Sequence, residues 1–148
     1  MPPRQYFYLL DRDGVLWHDG TALDDERFLR QFFARLGDND TGEHREYPFV
    51  SRCAGELNFV RPQATVIVFR RLLPGSRLEY TGGLTVPFSP SDLRVGRDHE
   101  LLHTAPVGGF GRLKTPVAMS LAECIEERDD GYWWSGVEGR RRIDALAD

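Results

Sequence analysis

Glycine-bearing turn signals interrupt this chain at short intervals, and that punctuation restricts the available folds more than any other feature of the sequence. Asp13-Gly14, Ala54-Gly55 and Gly82-Gly83 each separate two short runs rich in aromatic and β-branched residues, which is the pattern of antiparallel hairpins. Parallel strands need crossover connections of a dozen residues or more, usually helical, and the spacing leaves little room for them. The expected class is α+β, with a predominantly antiparallel sheet made of successive hairpins.

The runs can be placed one by one. Tyr6-Phe7-Tyr8-Leu9-Leu10 pairs with Val15-Leu16-Trp17, Tyr47 to Cys53 with Glu56 to Arg61, and Leu78-Glu79-Tyr80 with Leu84-Thr85-Val86. Thr65 to Leu73 is the strongest β-branched run and reads as a central strand ending at Pro74-Gly75. Phe28, Leu29, Phe32, Phe33 and Leu36 recur instead at helical spacing, with Asp24 and Asp25 near the start and Gly37 just past the end. They predict one main amphipathic helix at about 25–36. Leu113, Thr115, Val117 and Met119 alternate as a strand, and Ser120-Leu121-Ala122-Glu123 reads as a capping box opening a short helix near 120–126. Asp38 to Glu46 and Thr104 to Gly111 are expected as loops, and Ser89-Pro90 as the start of a helical turn. Tyr132-Trp133-Trp134 is the expected last strand, with Arg140-Arg141-Arg142 in a solvated tail.

At 148 residues the chain fits one domain, residues 1–148. A net charge of −4 offers no broad positive field for a phosphate backbone, so nucleic acid is not an expected partner. No apolar run approaches the roughly 20 residues a membrane helix needs, and Met1 to Gln5 carries no targeting pattern. A soluble, cytoplasmic protein is expected, without membrane contact, whose partner is an unknown small ligand or protein. Cys53 and Cys124 stand far apart without a CxxC spacing, so they read as free thiols, and no cofactor is expected.

Three groups of residues invite a chemical reading. Leu9-Leu10-Asp11-Arg12-Asp13-Gly14-Val15-Leu16 looks like the first motif of haloacid-dehalogenase-type phosphohydrolases. That resemblance implies a magnesium-dependent enzyme with Asp11 as nucleophile, Asp13 as acid and base, and Lys114 neutralising phosphoryl charge. Asp-Gly is also a common hairpin turn, and the surrounding hairpins are the wrong scaffold for that family. A second group, Arg35, Glu56, Asn58 and Arg61, places a cation fork near polar side chains on the second hairpin, and so suggests an anion-binding pocket. The alternative is a structural ion-pair network. His103 could join such a pocket as a ligand-binding group, and either Cys53 or His103 could be the reactive group of a thiol- or histidine-based enzyme. The leading expectation is a non-catalytic binding or interaction domain.

Read over its whole length, the sequence resembles domain-of-unknown-function family 4505, also called uncharacterised protein family 0598. The resemblance is carried by Tyr6-Phe7-Tyr8, Asp11, Gly14, Phe32-Phe33, Arg35, Tyr47-Pro48-Phe49, Ser51 and Cys53, then Glu56, Asn58-Phe59 and Arg61. It continues through Val68-Phe69, Leu72-Leu73, Gly82-Gly83, Val86-Pro87-Phe88, Pro90, His103, Ala105-Pro106, Trp134 and Gly136. The chain departs from the family pattern at Ala54-Gly55, at Thr81, and at Leu102 and Thr104 on either side of His103. The resemblance implies no established reaction.

Overall fold

The computed structural model describes residues 2–146. Its first half is a six-stranded sheet with a helix on one face. Strands β1 (Gln5–Leu10), β2 (Leu16–His18) and β3 (Thr21–Leu23) form a meander, helix α1 (Glu26–Ala34) follows, and β4 (Leu36–Asp38), β5 (Phe49–Cys53) and β6 (Glu56–Pro62) complete the sheet in the order β3-β2-β1-β6-β5-β4. All neighbours pair antiparallel except β1 and β6, which lie parallel with Gln5 opposite Leu57 and Leu10 opposite Pro62. The intervening helix and strands supply the long connection that a parallel pair demands.

Helix α1 begins where Asp25 caps it, the carboxylate accepting from the backbone N–H groups of Arg27 (3.0 Å) and Phe28 (3.2 Å). It buries Leu29, Phe32 and Phe33, and Phe32 meets Tyr8 of β1 edge to face at 5.0 Å. The helix stops at Ala34, short of the expected boundary, and Leu36-Gly37-Asp38 pairs with β5 instead. Leu36 is buried on this strand, and its apolar side chain at helical spacing carries no mark of which conformation the backbone takes.

The second half holds β7 (Val68–Phe69), β8 (Arg71–Leu73), β9 (Arg77–Tyr80), β10 (Leu84–Pro87), β11 (Leu93–Val95), β12 (Leu101–Thr104) and β13 (Phe110–Leu113). Helix α2 (Thr115–Leu121), β14 (Ile125–Arg128), β15 (Gly131–Gly136) and β16 (Gly139–Ile143) follow. They form three small sheets, ordered β10-β9-β8, β11-β12-β13-β7 and β14-β15-β16. Again one pair, β7 with β13, is parallel. Two glycines let these parts approach: Gly111 lies against Ile67 and Phe69, and Gly82, at φ +84°, presses on α1 so closely that a Cβ there would stand 2.6 Å from the Arg30 backbone.

Several expected elements fall elsewhere. The run Thr65 to Leu73 is not one central strand but two short ones in different sheets, because the chain turns out at Arg70. There the backbone N–H donates to Glu79 O at 2.8 Å and the guanidinium reaches Glu79 and Glu26. Residues 104–111 are the tip of the β12–β13 hairpin rather than a loop crossing the sheet edge. The stretch 113–119 is not a strand beyond Leu113. Pro116 opens α2, whose buried residues Val117 and Leu121 stand one turn apart while Met119 is 70% exposed. The short helix expected near 120–126 is present but begins earlier, at Thr115, and continues as a 3-10 turn over Ala122–Cys124 before Ile125 begins a strand. Arg140 to Arg142 lie in β16, where Arg140 stacks on Trp133 and Arg142 pairs with Asp130.

Candidate functional site

Of the polar group expected on the second hairpin, only Asn58 sits in the core. Its side-chain carbonyl accepts from the Tyr8 hydroxyl at 3.1 Å, and its amide donates to the carbonyls of Ser51 (3.0 Å) and Cys53 (3.5 Å). Ser51 in turn donates to Phe32 O at 2.6 Å, tying the sheet to α1. Every polar atom in this row has a partner, as burial requires. Glu56 lies opposite Cys53 at the hairpin end. Burial first, then the Glu56 charge, pushes the Tyr8 hydroxyl up to about 12, so it stays a proton donor. Arg35 is exposed just after α1, and Arg61 points to the opposite face of the sheet. The structure does not bring the two arginines together with Glu56 and Asn58.

Asp11 is committed to the β1–β2 connection. One carboxylate oxygen accepts from the N–H groups of Asp13 (2.9 Å) and Val15 (3.0 Å), and the other from Trp17 Nε1 at 3.0 Å. Burial alone would raise its pKa, but these three donors and the charge of Lys114 outweigh it and hold the carboxyl below its ordinary range. Gly14, at φ +84°, allows the turn, and Asp13 is exposed beside it. In this geometry Asp11 fixes a loop and an indole ring, and neither oxygen is left without a donor.

His103 is fully buried on β12, stacked with Phe88 at 5.6 Å and edge-on to Phe69 at 5.7 Å. Ser89 N–H donates to Nε2 at 3.1 Å, so the ring proton sits on Nδ1 and goes to Thr104 O at 2.8 Å. The neutral ring is therefore satisfied at both nitrogens. Burial lowers its pKa, against the opposing pull of Thr104, Asp92 and Ser89. The unfolded chain takes up a proton below pH ~6.5 while the folded one resists. Stability is expected to be full above that value and to fall as pH drops through it. The slope of melting temperature between pH 7.5 and 5.5 should flatten in His103→Gln.

The concave surface of this half lies on the face away from α1. Alternation along β1 sends Tyr8 and Leu10 to the helix side and Phe7 and Leu9 outward. The β5 end of that outer face is roofed by the 39–48 loop, where His44 and Tyr47 pack on Phe7 at 4.8 and 5.1 Å. The other end is open, with Leu9 45% and Trp17 37% exposed. Strand register sets Trp17, Leu9 and Arg61 side by side in one row across β2, β1 and β6. Two hollows flank the row and share Leu9 and Trp17. One, of about 410 Å³, is also bounded by Asp11, Arg61, Pro62 and Gln63, and one of about 380 Å³ by Phe7, Asp19 and Tyr47.

Both ends of the row are held. Asp11 pins the Trp17 ring, and the Arg61 guanidinium lies 5.2 Å from the Tyr47 ring centroid. Among the described residues Arg61 has no carboxylate partner. Gln63 accepts from Arg12 N–H at 3.2 Å through its side-chain carbonyl, and among the described residues its amide N–H groups have no partner. Arg61 and Asp11 were legible as polar candidates, whereas Trp17, Tyr47 and Gln63 were not. The available signal was that β1 is apolar on both faces, with no residue assigned to cover Leu9.

The comparisons agree with this architecture. Solved structures of DUF1285 family proteins share the fold. One from Silicibacter pomeroyi DSS-3 matches with a TM-score of 0.69 at 13% identity, over 97% of this chain and 84% of that one. Another from Shewanella baltica OS155 gives 0.59 at 14% identity, over 80% and 91%. Such low identities carry the fold alone. A sequence-family model described as "Domain of unknown function (DUF4505)" matches residues 2–134. With that match spanning nearly its whole length, the chain belongs to the DUF4505 family.

Proposed function

We propose that this chain is a non-catalytic binding domain whose open sheet face takes an anion carried on an apolar or aromatic group. One observation carries the reading: a guanidinium with no acid partner stands in register with an exposed leucine and an exposed, ring-fixed tryptophan. Apolar surface held open beside a preoriented cation is costly to keep in water, and a ligand with matching parts would cover it. Arg61 offers a planar fork to a carboxylate or phosphate, the Gln63 amide adds donors, and Leu9 and Trp17 form the plate on which a ring or alkyl group rests. The Asp11 carboxylate on the same hollow turns both oxygens to its own three donors and lies near the charge of Lys114, which offset its repulsion of the anion.

Calorimetric titration with 1-naphthyl phosphate tests this. The wild type should bind, Arg61→Gln should bind about 10- to 100-fold more weakly through loss of charge-assisted hydrogen bonds worth ~1.5–3 kcal/mol, and Trp17→Ala should weaken binding comparably. Equal affinity in wild type and Arg61→Gln would refute the reading. Release of naphthol with magnesium, lost in Asp11→Asn, would favour the Asp11–Asp13 phosphohydrolase instead.

A further inference from the structure

A second concavity, of about 320 Å³, opens in the other half of the molecule between the β11–β12–β13 sheet and the layer made by α2, β14 and β15. It shares no residue with the outer face of the first sheet. Its walls are apolar, from Leu101 and Leu113 on the sheet to Ala118 and Ile125 opposite. The volume is at the small end of ligand pockets and equals roughly ten water-sized groups at ~30 Å³ each.

Among the described residues, most of the charged and aromatic polar groups on its rim already have partners. The Tyr132 hydroxyl stands 3.2 Å from His99 Nδ1 and 3.4 Å from Glu127 Oε1. Glu100 receives Arg12 Nη2 at 3.4 Å, and Arg112 Nη1 donates to Arg12 O at 3.0 Å. Arg112 Nε, however, is buried without a hydrogen-bond acceptor among the described residues. Glu100 Oε2 is 3.6 Å away, too far for a hydrogen bond. A buried donor on a charged group left without an acceptor is rare and destabilising.

We propose that this cleft is a second ligand site, for a small uncharged molecule with an apolar body and one acceptor oxygen, such as a ketone or ester carbonyl. The body fills the space between Leu113 and Ala118, and the oxygen supplies the acceptor Arg112 Nε lacks. Glu100, 30% exposed and also held by Arg12, has room to yield the approach. Charge selects against the alternatives. An ammonium would enter beside the guanidiniums of Arg12 and Arg112, and a carboxylate would have to displace Glu100, which already lies against both of them; either ion would also be stripped of water by the apolar walls.

Amide NMR titrations of the full chain with acetophenone, its near-isostere ethylbenzene, and benzoate separate these cases. Acetophenone should shift the signals of Leu101, Leu113, Ala118 and Ile125 and bind about tenfold more tightly than ethylbenzene, with benzoate weakest. Ala118→Phe, which fills the cleft from the helix side, should abolish all of these shifts while the remaining spectrum stays folded. Absence of cleft shifts with every probe, or shifts that persist in Ala118→Phe, would overturn the site. Equal affinity for acetophenone and ethylbenzene, or tightest binding by benzoate, would overturn the proposed ligand class.

Discussion

Gly82→Ala is expected to lower stability by about 2–5 kcal/mol, the sum of a left-handed backbone that costs an L-residue ~1–2 kcal/mol and an overpacking term of ~1–3 kcal/mol. The atoms a new methyl would strike are Cα and N of Arg30, each 2.6 Å away, and Leu29 C at 2.8 Å. These belong to the middle of α1 and cannot rotate aside as a side chain could. Relief requires the helix to lift off the Thr81–Gly83 turn, which also disturbs Leu29 and Phe33 beneath it. Gly83→Ala is the matched control. Its φ is also positive, at +74°, but the nearest atom to a new Cβ is the flexible Arg30 Nη1 at 3.6 Å. It should show only the backbone share, ~1–2 kcal/mol. Urea unfolding with an unchanged slope checks both, and a melting point drop of about 5–15 °C is expected for Gly82→Ala in a chain of this size. Equal losses for the two variants would show that the contact with α1 is not tight.

Glu79→Gln should cost about 2–3 kcal/mol at neutral pH, near the lower end for breaking a buried ion pair because its arginines are partly exposed. The carboxylate side chain is only 7% exposed and accepts from Arg70 Nε (2.8 Å), Arg71 Nε (2.7 Å) and Arg71 Nη2 (2.9 Å). Burial by itself would raise its pKa, but the bonds from Arg71 and Arg70 outweigh it and hold the group below its ordinary value. The folded state thus binds this proton more weakly than the unfolded chain does. The stabilisation is present above pH ~4.5 and is lost as pH falls through the lower folded value. Melting curves of wild type and Glu79→Gln should be well separated at pH 7 and converge toward pH 3. A constant gap across that range would mean the effect comes from packing and not from charge.

Much of the architecture could be read from the turns. Ala54 and Gly55 both have positive φ, as a two-residue hairpin turn needs, and the strands on either side pair in the expected register. Asp25 caps α1 as its position suggested. What stayed hidden has a common cause: local sequence describes which side chains want burial, not which sheet buries them. Thr65 to Leu73 carries enough β-branched residues for one long strand, but at Arg70 the chain leaves one sheet for another, and its guanidinium meets Glu79 on β9 and Glu26, 44 residues earlier in the sequence. Val117 and Leu121 sit at a spacing of four that suits a helix, yet Leu113, Thr115, Val117 and Met119 also alternate, and only the packing of α2 decides between the two.

The site was half legible for the same reason. Arg61 and Asp11 stand out as charged residues near turns. Their union with Trp17 depends on β1 lying between β2 and β6, a long-range pairing that no local pattern encodes. Glu56 and Asn58 share one face of β6, but alternation sends Arg61 to the other face, and Arg35 lies exposed just past the end of α1.

The parallel pairing of β1 with β6 also bears on how the molecule is made. As the chain leaves the ribosome, β1 can form its hairpin with β2 at once, but its other edge must wait for about fifty further residues to be synthesised. Until then a strand with the aromatic sequence Tyr6-Phe7-Tyr8 presents a bare hydrogen-bonding edge to its surroundings. Nascent chains halted before residue 56 should therefore be the aggregation-prone species, and those extended past residue 62 should not.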